Sequence, residues 1–259
     1  MLFIILIVFI IFFFGAAIGS FIAASVYRIK NKKTILTRSY CPRCKYQLRF
    51  FDLIPIFSFL FLRGHCRRCK KSIEVGSFII EIISGLLFVF IFFYRWVYVF
   101  DANIFSLILV RDWVFVGGLI FLFVYDLKYK ILPDKVTIPL IIILFIFNIF
   151  LGVLIYNLLL AIVFGGGFFL LQWLISRGKW IGDGDIRMGA LLGATLGFPG
   201  VIVALFLAYI IGGFFSAILL VRKKVKLKTE IAFGTFLAIG GVLALFFGDF
   251  AINWYKGLI

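Results

Sequence analysis

Residues 113–134 read WVFVGGLIFLFVYDLKYKILPD, and this stretch decides what kind of chain it belongs to. From Trp113 to Tyr125 no side chain is charged; Asp126 then follows with no polar break, just ahead of Lys128 and Lys130. An apolar run of this kind is at home in hydrocarbon, where a spanning helix needs about 20 mostly apolar residues. Asp126 is then expected at or just within the membrane boundary. Ionisable groups are costly there and usually functional. The plainer alternative is a boundary aspartate paired with Lys128 or Lys130.

The rest of the chain agrees with this setting. Of 259 residues, 64% are hydrophobic and 15% charged, with 36 Phe and a mean hydropathy of +1.20; a soluble domain is about half apolar and about a quarter charged. Hydropathy places about eight spans, at 2–27, 77–96, 113–127, 137–156, 158–176, 186–198, 201–221 and 231–247. The expected fold is an all-α polytopic membrane protein with about eight transmembrane helices and a small extramembrane domain. The span 186–198 is short, and Phe198-Pro199-Gly200 makes a tight turn after it. Residues 1–27 begin without a basic segment and carry too long an apolar run for a signal peptide, so they read as a retained first helix.

The net charge of +16 is informative through its distribution. If the spans alternate, the loops 28–76, 128–136, 177–185 and 222–230 share one side. These loops and the adjoining helix ends hold every Lys and Arg except Arg95, Arg111 and Lys256. The positive-inside rule makes that side cytoplasmic and puts both termini outside. The charge then serves as a topology signal and a grip on anionic headgroups. Membrane lipid is an expected partner and nucleic acid is not, since no span-free basic domain is left over except 28–76. The expected division is a first transmembrane helix at 1–27, a cytoplasmic domain at 28–76 and a transmembrane domain at 77–259.

All four cysteines fall in that cytoplasmic domain, as Cys41-Pro-Arg-Cys44 and Cys66-Arg-Arg-Cys69. Two Cys-x-x-Cys pairs are the form of two zinc knuckles, each presenting two thiolates to one tetrahedral ion. The 21 residues between Cys44 and Cys66 slightly exceed the usual ribbon spacing, which a short insert absorbs. Arg43, Lys45, Arg67 and Arg68 offset part of the charge of a tetrathiolate. The competing reading is a pair of disulfides or inert thiols, and a reducing cytoplasm argues against disulfides. His65 reads as a solvated loop histidine, because four thiolates already fill the sphere. The apolar stretch from Phe50 to Phe57 is expected along the membrane surface or against the helices.

Only eleven acidic residues exist. Asp52 and Glu74 fall in the cysteine loop, Asp101, Asp112 and Asp249 on the outer side, Glu230 before the last helix, and Glu81 one turn inside the second span. Four remain near the cytoplasmic ends of apolar helices: Asp126, Asp134, Asp183 and Asp185. Asp134 follows Pro133 and is expected to cap the next helix. Gly182-Asp183-Gly184-Asp185 opens the sixth span, and its glycines admit close backbone approach. One of its aspartates could merely cap that helix. Two carboxyls brought together from different helices would share a proton. One could then act as base on water while the other polarises a peptide carbonyl. No serine or cysteine nucleophile has a credible base, since the only histidine is in the cysteine loop. A protease here would be an aspartyl one.

These residues resemble the type IV prepilin peptidases, which belong to the GxGD membrane aspartyl proteases. Gly19-Ser20-Phe21 with Tyr27-Arg28 is similar to the family's first-helix exit. Arg38-Ser39-Tyr40-Cys41-Pro42-x-Cys44, Asp52-Leu53-Ile54-Pro55-Ile56-x-Ser58 and Arg63-Gly64-x-Cys66-x-x-Cys69 resemble its cytoplasmic domain. Glu81 matches an acidic position early in the next helix. Asp126-Leu127 with Leu132-Pro133-Asp134 resembles the segment of the first catalytic aspartate, and Gly182-x-Gly184-Asp185 that of the second. The resemblance implies Asp126 and Asp185 as the catalytic dyad, with Gly182, Gly184, Asp134 and Asp183 in support and structural zinc on Cys41, Cys44, Cys66 and Cys69. It also implies cleavage after glycine of the basic leader of pilin or pseudopilin precursors, at the cytoplasmic face of a bacterial inner membrane. Many members N-methylate the new N-terminus with S-adenosylmethionine. Where the family shows an Arg-Tyr-Pro-like stretch after the last cysteine, this chain has Val75-Gly76-Ser77.

Two other readings use the same residues. An ion- or proton-coupled transporter would employ Asp126 and Asp185 as cation ligands at broken helices, which calls for carboxylates near the bilayer midplane. An assembly scaffold docking through the cysteine domain leaves Gly182-Asp183-Gly184-Asp185 without a purpose. The glycine clusters at Gly165-Gly166-Gly167 and Gly212-Gly213 let membrane helices pack closely in any case.

Overall fold

The structure is a computed structural model that describes residues 2–34, 37–99, 101–222 and 232–258. Glu230 and most of the expected loop 222–230 lie outside the described residues. Among these residues the architecture is all-helical: α1 (Leu2–Lys30), α2 (Phe57–Phe61), α3 (Val75–Tyr98), α4 (Ala102–Tyr129), α5 (Asp134–Phe150), α6 (Ile155–Ser176), α7 (Asp183–Val221) and α8 (Phe233–Lys256). α1, α3, α4, α6, α7 and α8 are each long and apolar enough to cross a membrane, and α5 has 17 residues.

α7 accounts for two of the expected spans. Its helical dihedrals break at Gly197 (φ 64°, ψ −174°) and Phe198 (φ −99°, ψ 131°), just before Pro199, which has no N–H to continue the ladder. A straight helix would carry Tyr209 about 30 Å from Gly189, yet one side chain, Phe169, stands 2.7 Å from the Cβ position of Gly189 and stacks on Tyr209 with centroids 6.4 Å apart. The chain therefore reverses, and residues 183–196 and 199–221 form two limbs of a hairpin. The Asn157 side chain of α6 satisfies the break, donating to Phe198 O (2.8 Å) and accepting from Phe198 N (2.9 Å). Asn148 of α5 donates to the carbonyls of Ala194 and Thr195, which end the first limb, at 2.7 and 2.8 Å.

The chain divides into two compact units, residues 1–100 and 101–259. In the first, α1 and α3 pack at backbone distance. A Cβ on Gly15 would stand 2.8 Å from the Ser84 carbonyl oxygen, and one on Gly19 2.9 Å from that of Ile80. Glycines four apart on one face allow this approach, and in lipid close packing rather than hydrophobicity drives association. α3 thus pairs with α1 and brackets the cysteine loop. Glu81 of α3, buried, accepts from the Ile56 N–H at 2.7 Å, and Phe57 stacks on Phe13 of α1 with centroids 5.3 Å apart. These contacts hold the apolar stretch of the loop against the helices.

In the second unit the same device recurs between α6 and α7, where side chains on Gly165, Gly189 or Gly193 would clash with the facing backbone. Gly240 of α8 stands equally close to the second limb, its Cβ position 2.5 Å from Ala204 O. Well away from Asp126 along α4, Asp112 is fully buried and paired with Arg111 at 2.7 Å, whose Nη1 donates to Asn148 Oδ1 at 2.9 Å. Asp112, expected only as an outer-side residue, is thus part of an internal polar cluster.

Candidate active site and metal centre

Asp126 sits in the last turn of α4 and Asp185 in the first turn of α7, 5% and 7% exposed. The α7 hairpin and the pairing of α4 with α8 bring the two segments together: Leu132 lies against Gly184, beside Asp185, and against Gly234, which faces the Asp126 carboxylate. Asp185 N donates to the carbonyl of Gly182 at 3.2 Å, the residue preceding α7. Gly184 faces Leu132 of the α4–α5 connection, and a Cβ there would stand 2.9 Å from Leu132 Cβ. The glycine between the two aspartates is therefore required by packing, and that packing draws the α4–α5 connection against the start of α7.

The structure corrects one expectation and adds three residues. Asp134 does not cap α5: the cap position is Pro133, with no side-chain cap bond. The Asp134 carboxylate instead binds Arg187 Nη1, while Arg187 Nη2 reaches Asp183 Oδ2 at 3.1 Å. Asp134 and Asp183 thus share one guanidinium that ties the start of α5 to the start of α7. Beyond Arg187, Gly234 and Thr235 of α8 meet the Asp126 carboxylate: Thr235 N donates to Asp126 Oδ2 at 2.9 Å, and a Cβ on Gly234 would stand 2.8 Å from the same oxygen. The only sequence signal for the α8 pair is a glycine and a threonine opening the last apolar run. Nothing along the chain says which neighbour that opening faces.

The second constellation lies in the other unit. The four Sγ atoms of Cys41, Cys44, Cys66 and Cys69 all fall within 4.8 Å of one another, with Cys41–Cys69 at 3.9 Å and Cys44–Cys66 at 4.0 Å. Disulfide sulfurs would be about 2.05 Å apart, so these are free thiols. Four sulfurs around an ion with bonds of ~2.3 Å stand ~3.8 Å apart at the tetrahedral angle, and the observed separations fit that geometry. The two knuckles are built alike. Cys41 N donates to Tyr46 O and Cys66 N to Lys71 O, at 2.8 and 2.9 Å, while Lys45 N and Lys70 N return to Cys41 O and Cys66 O, at 2.9 and 3.0 Å. Lys45 and Lys70 both adopt positive φ, 56° and 54°. Asp52, buried, joins the second knuckle to the insert, accepting from Arg67 Nε at 2.8 Å and from Arg49 N at 3.1 Å.

Cys41 and Cys44 differ in acidity. Partial burial pushes Cys41 up, but backbone hydrogen bonds from Cys44 and Arg43 together with the Cys44 and Cys66 sulfurs outweigh it and hold it below the ordinary thiol range. At Cys44 the Tyr46 backbone pulls downward, while desolvation and the sulfurs of Cys41, Cys69 and Cys66 push it up to about 11. Thiolates so crowded repel one another, and a divalent cation removes that repulsion as it displaces the protons. His65 is exposed and its Nδ1 lies 2.5 Å from Arg63 O, outside the cluster.

Comparison with known proteins gives two family matches. Residues 13–95 match the bacterial peptidase A24 N-terminal domain, and residues 113–217 match the type IV leader peptidase family. Among curated relatives, the prepilin leader peptidase/N-methyltransferase of Bacillus subtilis (strain 168) is 30% identical over 258 residues, covering 95% of this chain and 96% of the relative. Proteins of that name from Legionella pneumophila (30% identical, 86% and 76% covered) and Aeromonas salmonicida (strain A449) (28% identical, 87% and 76% covered) are also similar. No solved structure matches the chain.

Proposed function

The chain belongs to the type IV leader peptidase family, and from that premise we propose that Asp126 and Asp185 are the catalytic dyad of a prepilin leader peptidase. The observation that supports this reading is that two buried carboxyls come from helix ends far apart in sequence, with Leu132 packed against Gly184 beside the one and Gly234 beside the other. Adjacent carboxyls share one proton because both cannot ionise easily. The ionised member takes a proton from water as its oxygen attacks the scissile carbonyl carbon; the protonated member hydrogen-bonds the carbonyl oxygen as charge builds there. Collapse of the tetrahedral intermediate breaks the C–N bond, and the proton passes to the leaving amine. Asp134, Asp183, Gly182 and Gly184 support the dyad by fixing the segments that carry it.

The substrates of this reading are pilin or pseudopilin precursors, cut after the glycine of a basic leader at the cytoplasmic face of a bacterial inner membrane. The basic loops support that orientation through the positive-inside rule. The cysteine cluster is proposed to hold structural zinc, since four thiolates complete the coordination and leave no open position. Zinc there would hold residues 41–69 folded, while the dyad supplies the chemistry. The relatives' names also carry N-methyl transfer, for which S-adenosylmethionine is the proposed donor; no residue of this chain is assigned to it. The transporter alternative draws no support from the relatives. Its carboxylates belong near the midplane, whereas Asp126 and Asp185 occupy helix ends.

The test is cleavage, in membranes, of a precursor with a basic leader, a Gly–Phe junction and an apolar helix. Wild type should release the mature protein, and Asp126→Asn and Asp185→Asn should not, although both fold. Mass spectrometry of the new N-terminus reads methylation as a gain of about 14 Da. Cleavage surviving either substitution would remove that residue from the dyad.

A further inference from the structure

We infer that the first turn of α8, through Gly234 and the backbone N–H of Thr235, is a positioning clamp for the Asp126 carboxylate. The inference rests on the peptidase reading above and adds to it residues that neither the motifs nor the relatives' names assign.

Asp126 stands in the last turn of its own helix, where unsatisfied carbonyls make the surroundings unfavourable to a negative group. The first turn of α8 supplies the opposite environment. Phe233 opens the helix, so the N–H of Thr235 is among the donors that have no partner within α8. It donates to Asp126 Oδ2 at 2.9 Å, in a setting where Thr235 is 5% exposed and Gly234 is buried. A hydrogen bond from a neutral donor to a carboxylate is strong, and the burial of both groups strengthens it.

Gly234 makes that bond sterically feasible. A Cβ there would stand 2.8 Å from Asp126 Oδ2, 3.1 Å from its Cγ and 3.2 Å from Leu132 Cδ1. Leu132 in turn packs on Gly184, beside Asp185. One apolar side chain therefore touches both glycines that border the dyad, and a methyl group at 234 would press on the carboxylate and on this wedge together. The Thr235 hydroxyl is engaged elsewhere, on Ala232 O at 2.7 Å. The backbone amide, and not the side chain, holds the aspartate. On the aromatic side α8 is fixed by Phe233 against Tyr209 of the second α7 limb, centroids 4.9 Å apart. The clamp thus stands on a packed element.

The test uses the full chain in lipid vesicles with the Gly–Phe precursor. Gly234→Ala crowds the carboxylate; Thr235→Pro deletes the donating N–H at a first-turn position where proline is tolerated. Both should lower kcat about a hundredfold with KM unchanged, the scale of a misplacement near 1 Å. Thr235→Ala keeps the N–H and should retain the larger part of kcat, which separates the amide from the hydroxyl. Gly248→Ala, near the far end of α8 with nothing within 4 Å of its added carbon, should match wild type.

A kcat for Gly234→Ala within about threefold of the Gly248→Ala value would overturn the clamp, as would a raised KM with kcat intact. If Thr235→Pro fails to reach the folded membrane fraction, Gly234→Ala decides. Active wild type, inactive Asp126→Asn and unimpaired Gly234→Ala would sink the clamp alone. Wild type inactive on every precursor would remove the peptidase reading and the clamp with it.

Discussion

The four-thiol cluster and the aspartate pair are built by opposite means. Each half of the cluster is a short loop whose hydrogen bonds close within about five residues, so the local sequence writes the local geometry. Only the meeting of the two halves needs the chain between them, and Asp52 with Arg67 secures it. The aspartate pair has no local geometry of its own. Asp126 depends on α4 and α8, Asp185 on the α7 hairpin, and Leu132 on all three. A cluster made of local loops can be deleted as a piece. A pair assembled from helix ends fails wherever the helices shift.

That contrast can be broken by experiment. The largest expected effect is on the pair: Asp126→Asn or Asp185→Asn should lower cleavage by about 10⁴-fold or more, as removal of members of a catalytic unit does, while the metal content read by elemental analysis stays that of wild type. Next comes the cluster. Cys66→Ser, at the most buried of the four thiols, or a strong chelator should release the metal and open residues 41–73 to protease, because binding energy of structural zinc, ~10 kcal/mol or more, is folding energy. Helical content in the second unit should persist by circular dichroism, and its loss would mean that the two regions are not separable.

Smaller effects sharpen the helix side. Gly193→Ala places a carbon against the Ala161 backbone, and such overpacking should cost ~1–3 kcal/mol in a thermal or denaturant transition. The smallest belongs to Arg187→Ala. Its guanidinium is 32% exposed and its carboxylate partners 50% and 70%, so solvent screening should hold the loss to ~1 kcal/mol or less. A loss as large as that of Gly193→Ala would show that this bridge, and not backbone packing, sets the register of α5 and α7.

Much of this could be read along the chain. Hydropathy located the apolar segments, including the reversal near Phe198-Pro199 that lets α7 serve as two spans. The duplicated Cys-x-x-Cys spacing pointed to four thiols around one centre, which the sulfur positions now fit. The sequence was silent where helices meet sideways. It offered Asp134 as a cap because proline followed by aspartate looks like a helix start, but a guanidinium on another helix takes that carboxylate. It gave no hint that Gly234 and Thr235 face Asp126, since the partner of a membrane helix is chosen by small residues, and glycines are scattered through every span. Apolarity specifies that a helix is embedded, and packing specifies beside what.

The proposed dyad, Asp126 and Asp185 acting as one unit, is tested by comparing Asp126→Asn, Asp185→Asn and the double variant on the same precursor. Members of a unit are grossly non-additive. A single unit should leave the same residual rate in all three, with each variant folded. A double variant slower than either single by the product of their separate effects would show two independent carboxylates, and would contradict it.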